Sequence, residues 1–100
     1  LRRYVVKYDE AFWQDLKEVI DWYDEFSKEV TDKFLAQFSF AESRIKENPL
    51  AFGKVSKMGF RRIKLRRFPY KMYFKVEANT VFVIALIHVA RSNRYINKRL

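Results

Sequence analysis

In residues 58–65 and 68–77 the chain alternates apolar and largely cationic side chains with a period of two, and this pattern constrains the fold more than any other feature. In residues 58–65, Ile63 and Leu65 fall on one side, while Arg62 and Lys64, with Arg66 just beyond, fall on the other. In residues 68–77, Phe68, Tyr70, Met72, Phe74 and Val76 alternate with Lys71, Tyr73 and Lys75. Successive side chains of a strand point to opposite faces, so each segment reads as a strand with one buried and one cationic face. Residues 80–89 are apolar on both faces, which suits a strand in the middle of a sheet. Ala78-Asn79 predicts a tight turn between the last two strands, with Asn tolerating a positive φ. The three strands form an antiparallel meander. One face packs on the rest of the chain, and the other presents the cations.

Upstream the period lengthens. Residues 2–8 read as a strand, with Tyr4, Val6 and Tyr8 on one face and Val5 on the other. Asp9 is an N-cap, and Phe12, Leu16, Val19, Ile20 and Tyr23 recur at helical spacing over residues 11–26. Asp15, Glu18, Asp21 and Asp24 lie largely off that stripe and read as a solvated face. Ser27 caps a second helix whose stripe is Val30, Phe34, Phe38, Ala41 and Ile45, and Asn48-Pro49 ends it because the residue before proline is pushed out of the α region. Residues 50–57 form a loop, and residues 90–100 a short helix or an open basic tail. The expected class is α+β, a β-α-α-β-β-β order with a strand and helical hairpin packed on a small antiparallel sheet.

A chain of 100 residues with 49% hydrophobic residues, two Gly and two Pro is one domain, residues 1–100, and is neither disordered nor collagenous. It has no Cys, which excludes disulfides and thiolate metal sites and permits a cytoplasmic location. No apolar run approaches the roughly 20 residues of a membrane span, so no membrane partner is expected. Leu1 opens no signal peptide, and the missing Met suggests that a few leading residues are absent. Residues 1–50 carry 8 Lys and Arg against 11 Asp and Glu, whereas residues 51–100 carry 13 against Glu77 alone. So basic a half points to an anionic macromolecular partner. There is no Gly-rich phosphate loop, no Ser-His-Asp context and a single histidine, so neither metal nor small-molecule cofactor is expected.

Ile63-Lys64-Leu65, Arg67-Phe68-Pro69-Tyr70, the hairpin, and the run from Val83 to His88 followed by Arg91 together resemble the RelE/ParE superfamily of bacterial toxins and plasmid-stabilisation proteins. Ala11, Asp15, Leu16 and Ile20 in the first helix, and Asn48-Pro49 before the loop, fit the same resemblance. It implies a RelE-like fold and the toxin half of a type II toxin–antitoxin pair, with a cognate antitoxin as partner. It also implies one of two targets. RelE-type members enter the ribosome and cut mRNA without a metal, the RNA 2′-OH attacking the adjacent phosphate, and so arrest growth. ParE-type members poison DNA gyrase and lack the nuclease residues. A third outcome is an antitoxin-binding member that is not toxic.

Under the mRNA interferase reading, which the sequence favours slightly, the resemblance assigns Arg62, Lys64, Lys71, His88, Arg91 and Tyr95 to catalysis, converging on one sheet face and its end. Arg61, Arg66, Arg67 and Arg94 would hold the RNA backbone. Lys71 departs from the family, because the ribonuclease type often has Arg there and Lys cannot make its two-pronged phosphate contact. His88 also reads as a plain structural histidine. Trp13, Trp22 and Phe40 are candidates to line an antitoxin groove.

Overall fold

The computed structural model describes residues 3–91 and residue 98. The order is β1 (Val5–Tyr8), α1 (Glu10–Asp24), α2 (Lys28–Glu47), a 3-10 turn (Pro49–Ala51), β2 (Arg61–Lys64), β3 (Tyr70–Glu77) and β4 (Thr80–His88). The sheet order is β1-β4-β3-β2, antiparallel except that β1 lies parallel to β4. The doubly apolar segment is thus a central strand, as its composition requires. Among the described residues no helix is long and apolar enough to cross a membrane.

Each helix is stopped and started by its own side chains. Asp9 accepts from the Ala11 N–H at 3.1 Å, and Ser27 Oγ accepts from the Val30 N–H at 3.1 Å, which satisfies donors left over in each first turn. The hairpin buries Phe12, Leu16, Val19, Phe34, Ala41 and Ile45 against Ile63, Leu65, Met72, Phe74, Val81, Val83 and Leu86. Full burial of each large apolar side chain stabilises the fold by roughly 1.5–3 kcal/mol. Val30 is only half-buried; its neighbour Thr31 is buried instead, donating to Asp24 Oδ1 and to the Ser27 carbonyl. Tyr8 donates to Glu42 Oε2 and so ties β1 to α2.

Three features differ from the alternating pattern. First, β2 is only four residues long: the preceding stretch is held by an isolated Lys54–Arg61 bridge, and Arg66 lies beyond the strand. Second, β4 carries a bulge. Tyr73 pairs with Ala85 and Phe74 with Val83, so Ile84 is the extra residue. It shifts the alternation by one: Val81, Val83, Leu86 and His88 face the helices, while Phe82, Ala85 and Ile87 share the open face. Third, the hairpin turn puts its positive φ, 54°, on Ala78 and not on Asn79.

Positive φ at the first loop residue is the position that such hairpins reserve for glycine. Ala78→Gly removes a Cβ clash and adds unfolded-chain entropy, a net gain of about 0.5–1 kcal/mol in urea-unfolding free energy. Burial and the Glu42 carboxylate hold the Tyr8 hydroxyl far above its ordinary value of 10.0. The unfolded chain loses that proton first, so the stabilisation is complete below pH 10 and falls as pH rises beyond it. Thermal unfolding between neutral pH and alkali should show that decline, and Tyr8→Phe should make it shallower.

Candidate functional site

The register sorts the candidate residues onto two surfaces. Arg62 pairs with Tyr73, and Lys64 with Lys71, so these cations share the face turned away from the helices. Lys64 Nζ donates to the carbonyls of Leu65 at 3.0 Å and Phe68 at 3.3 Å, holding the turn that leads into β3. Lys71 Nζ sits 5.7 Å from the Tyr73 ring, which is itself only 2% exposed. Arg61 points to the other face, where it donates to the carbonyls of Leu50 and Phe52 and anchors the loop after α2. Arg66 does not continue the row of Arg62 and Lys64: with β2 ended, it stacks on Phe40 of α2 at 4.6 Å. Arg67 occupies the turn with a φ of 67°.

His88 lies on the helix side. It pairs with Tyr70 across the sheet, its ring 5.3 Å from the tyrosine ring and edge-on to it. Its Nδ1 accepts from the Ala90 N–H at 3.0 Å, which leaves Nε2 as the nitrogen that donates in the neutral ring. Here β4 runs past the end of β1, whose last partner is Val83. The side chain of α1 takes over: Asp15 Oδ2 accepts from the Leu86 N–H at 2.9 Å. Asp15, Glu18, Val19, Tyr70, Leu86, Ile87, His88 and Arg91 line a cleft of about 160 Å³. Burial raises the Tyr70 and Tyr23 hydroxyls above their ordinary values, and a hydrogen bond between them further holds the Tyr23 proton.

Of the residues expected to converge on one sheet face and its end, the described ones divide between two surfaces. Arg62, Lys64 and Lys71 are on the open face, and His88 and Arg91 line the cleft behind it. The bulge at Ile84 is the cause, since it turns His88 to the side of Leu86. Tyr95 and Arg94 lie outside the described residues. The first-helix acids are not simply a solvated face: Asp15 holds β4, and Asp24 accepts from Thr31. The signal for Asp15 was its place beside Leu16, at the edge of the buried stripe. Trp13, Trp22 and Phe40 are all exposed. Trp22 at 55% meets Phe26 at 65% edge-to-face at 5.3 Å, forming an apolar knob at the α1–α2 turn.

The element order, the sheet and the charge distribution define a small basic α+β domain of the RelE-like fold. Residues 6–93 match the family described as "ParE toxin of type II toxin-antitoxin system, parDE", and the chain belongs to that family. Membership makes it a type II toxin of the ParE/RelE superfamily and implies an antitoxin partner. Among solved structures it is similar to the chromosomal ParDE TA system from P. aeruginosa, with a TM-score of 0.75 and 18% identity over 86% of this chain and 96% of that one. It is also similar to the isolated E. coli RelE toxin, with a TM-score of 0.63 and 21% identity over 95% and 94% of the two chains. An arginine double mutant of E. coli RelE in the free state gives 0.62 and 26% identity over 98% of each chain. No curated protein sequence matches.

Asp15→Ala removes the acceptor from a buried strand N–H, and should lower the unfolding free energy by about 1–3 kcal/mol in urea titration. Asp21→Ala, on the exposed side of the same helix, should leave the midpoint unchanged.

Proposed function

We propose that this chain acts as a ParE-type toxin that binds DNA gyrase and traps it on cut DNA, rather than as a ribosome-dependent ribonuclease. One observation carries the reading. Cleavage by an RNA 2′-OH calls for a base, an acid and phosphate-neutralising cations around one phosphate, within hydrogen-bond reach. Here His88 and the Lys64–Lys71 pair lie on opposite faces of the sheet. The ammonium of Lys64 is committed to two backbone carbonyls, Arg61 to two more, and Arg66 to an aromatic ring. The family match to ParE toxins points the same way.

A non-enzymatic toxin needs a charged, preformed surface and no proton relay. The strongly basic second half of the chain suits a target that carries DNA. The test is a gyrase supercoiling and DNA-cleavage assay with the purified chain, run beside RNA-end mapping in a translating extract. Gyrase-trapped DNA breaks with intact mRNA are expected. Codon-aligned mRNA ends that vanish in a Lys64→Ala/Lys71→Ala double variant, with gyrase untouched, would overturn the proposal in favour of RNA cleavage. No effect in either assay, and no growth defect on induction, would instead mark a non-toxic antitoxin-binding member.

A further inference from the structure

Toward the end of the open face away from Lys64 and Lys71, three side chains form a row across three strands. Lys7 on β1 pairs with Phe82 on β4, and Phe82 pairs with Lys75 on β3. Neighbouring strands lie about 4.8 Å apart, so the register sets a lysine on either side of Phe82 on the same face. Phe82 keeps 36% of its surface exposed, whereas Tyr73, Ala85 and Ile87 further along the same face are buried. Lys75 also rests over the buried Phe60 ring at 5.4 Å, and its ammonium is 3.8 Å from Glu77 Oε1, an exposed pair that neutralises it little. Along the described strands the face carries Lys7, Arg62, Lys64, Lys71 and Lys75 against the single acid Glu77.

We propose that the Lys7–Phe82–Lys75 row is a binding site for single-stranded nucleic acid, with one base stacked on Phe82 and the adjoining phosphates held by the two lysines. The chemistry of the row selects this occupant. Every base has a π-face that an exposed ring on a flat sheet can receive, and the cations on both sides meet the backbone that must continue past that base. An acidic peptide would satisfy the lysines but would offer nothing to the ring. Arg62 and Lys71 carry the positive charge of this face onward from the row, past the buried Tyr73. The site does not depend on the gyrase reading, since its ligand is a free single strand and its test needs no gyrase.

The test is fluorescence anisotropy with the full chain and labelled oligo-dT and oligo-rU of about 12 nucleotides, a length within the range that small single-strand binders occupy. Phe82→Leu keeps the apolar volume but removes the ring, and should weaken binding roughly tenfold, as loss of one stacked base does. Phe82→Trp should retain or tighten it. Lys7→Gln and Lys75→Gln should each reduce the slope of log affinity against log salt by about 0.7, the value for one phosphate contact on a single strand. Circular dichroism verifies that each variant is folded. Equal affinity for Phe82→Leu and the parent overturns the site, as does a salt slope unchanged by both lysine variants. Binding to poly-glutamate with none to either oligonucleotide overturns it in favour of an acidic protein partner.

Discussion

Every other element of this molecule takes its position from β4. The strand is hydrogen-bonded on both edges, to β1 in parallel and to β3 antiparallel, and side chains on both of its faces are buried. A strand in that situation can leave no backbone polar group unmatched, since each buried unpaired group costs about 1–3 kcal/mol. β1 is too short to serve it along its whole length. Where β1 ends, α1 supplies Asp15 to the Leu86 N–H, so the helix is placed by a polar requirement as well as by its apolar stripe. That one contact also opens the cleft, because it brings Asp15 and Glu18 up to Tyr70, His88 and Arg91.

The bulge at Ile84 then decides what each face of the sheet can do. It keeps Val81, Val83 and Leu86 in the core despite a change of phase between them, and the cost is one unpaired strand residue. The same change carries His88 to the helix side, among acids and tyrosines, and leaves the open face with lysines, an arginine and a partly exposed ring. One surface thus carries the cations, while the other is a mixed polar cleft. A single catalytic centre drawing on both would have to reach through the sheet.

Charge is segregated for a related reason. The helical hairpin holds almost all the carboxylates because helices present a wide solvated face, and acids there also cap first turns. The strands hold the cations on the face turned from the helices, where they surround the buried Tyr73, Ala85 and Ile87. Several of those cations serve the fold as well. Lys64 and Arg61 gather loop carbonyls, and Arg66 covers Phe40. A basic side chain in this chain is therefore not by that fact a ligand for phosphate.

Periodicity alone determined the element order, the helix caps at Asp9 and Ser27, the central place of β4 and the cationic face of β2 and β3, because each of these depends on residues close together in the chain. The ordered motifs from Ile63 to Arg91 carried the family. What the tertiary structure alone decided was the phase and pairing between distant segments: β1 beside β4, the bulge that reverses His88, the truncation of β2 that frees Arg66 to reach Phe40, and the positive φ at Ala78 in place of Asn79. A single extra residue in a strand inverts the side of everything after it, and nothing in the local composition of a doubly apolar strand marks where that residue falls. The conversion of Asp15 from an outward acid into the partner of Leu86, 71 residues away, belongs to the same class, since its place at the edge of the buried stripe does not say which distant backbone group it will meet.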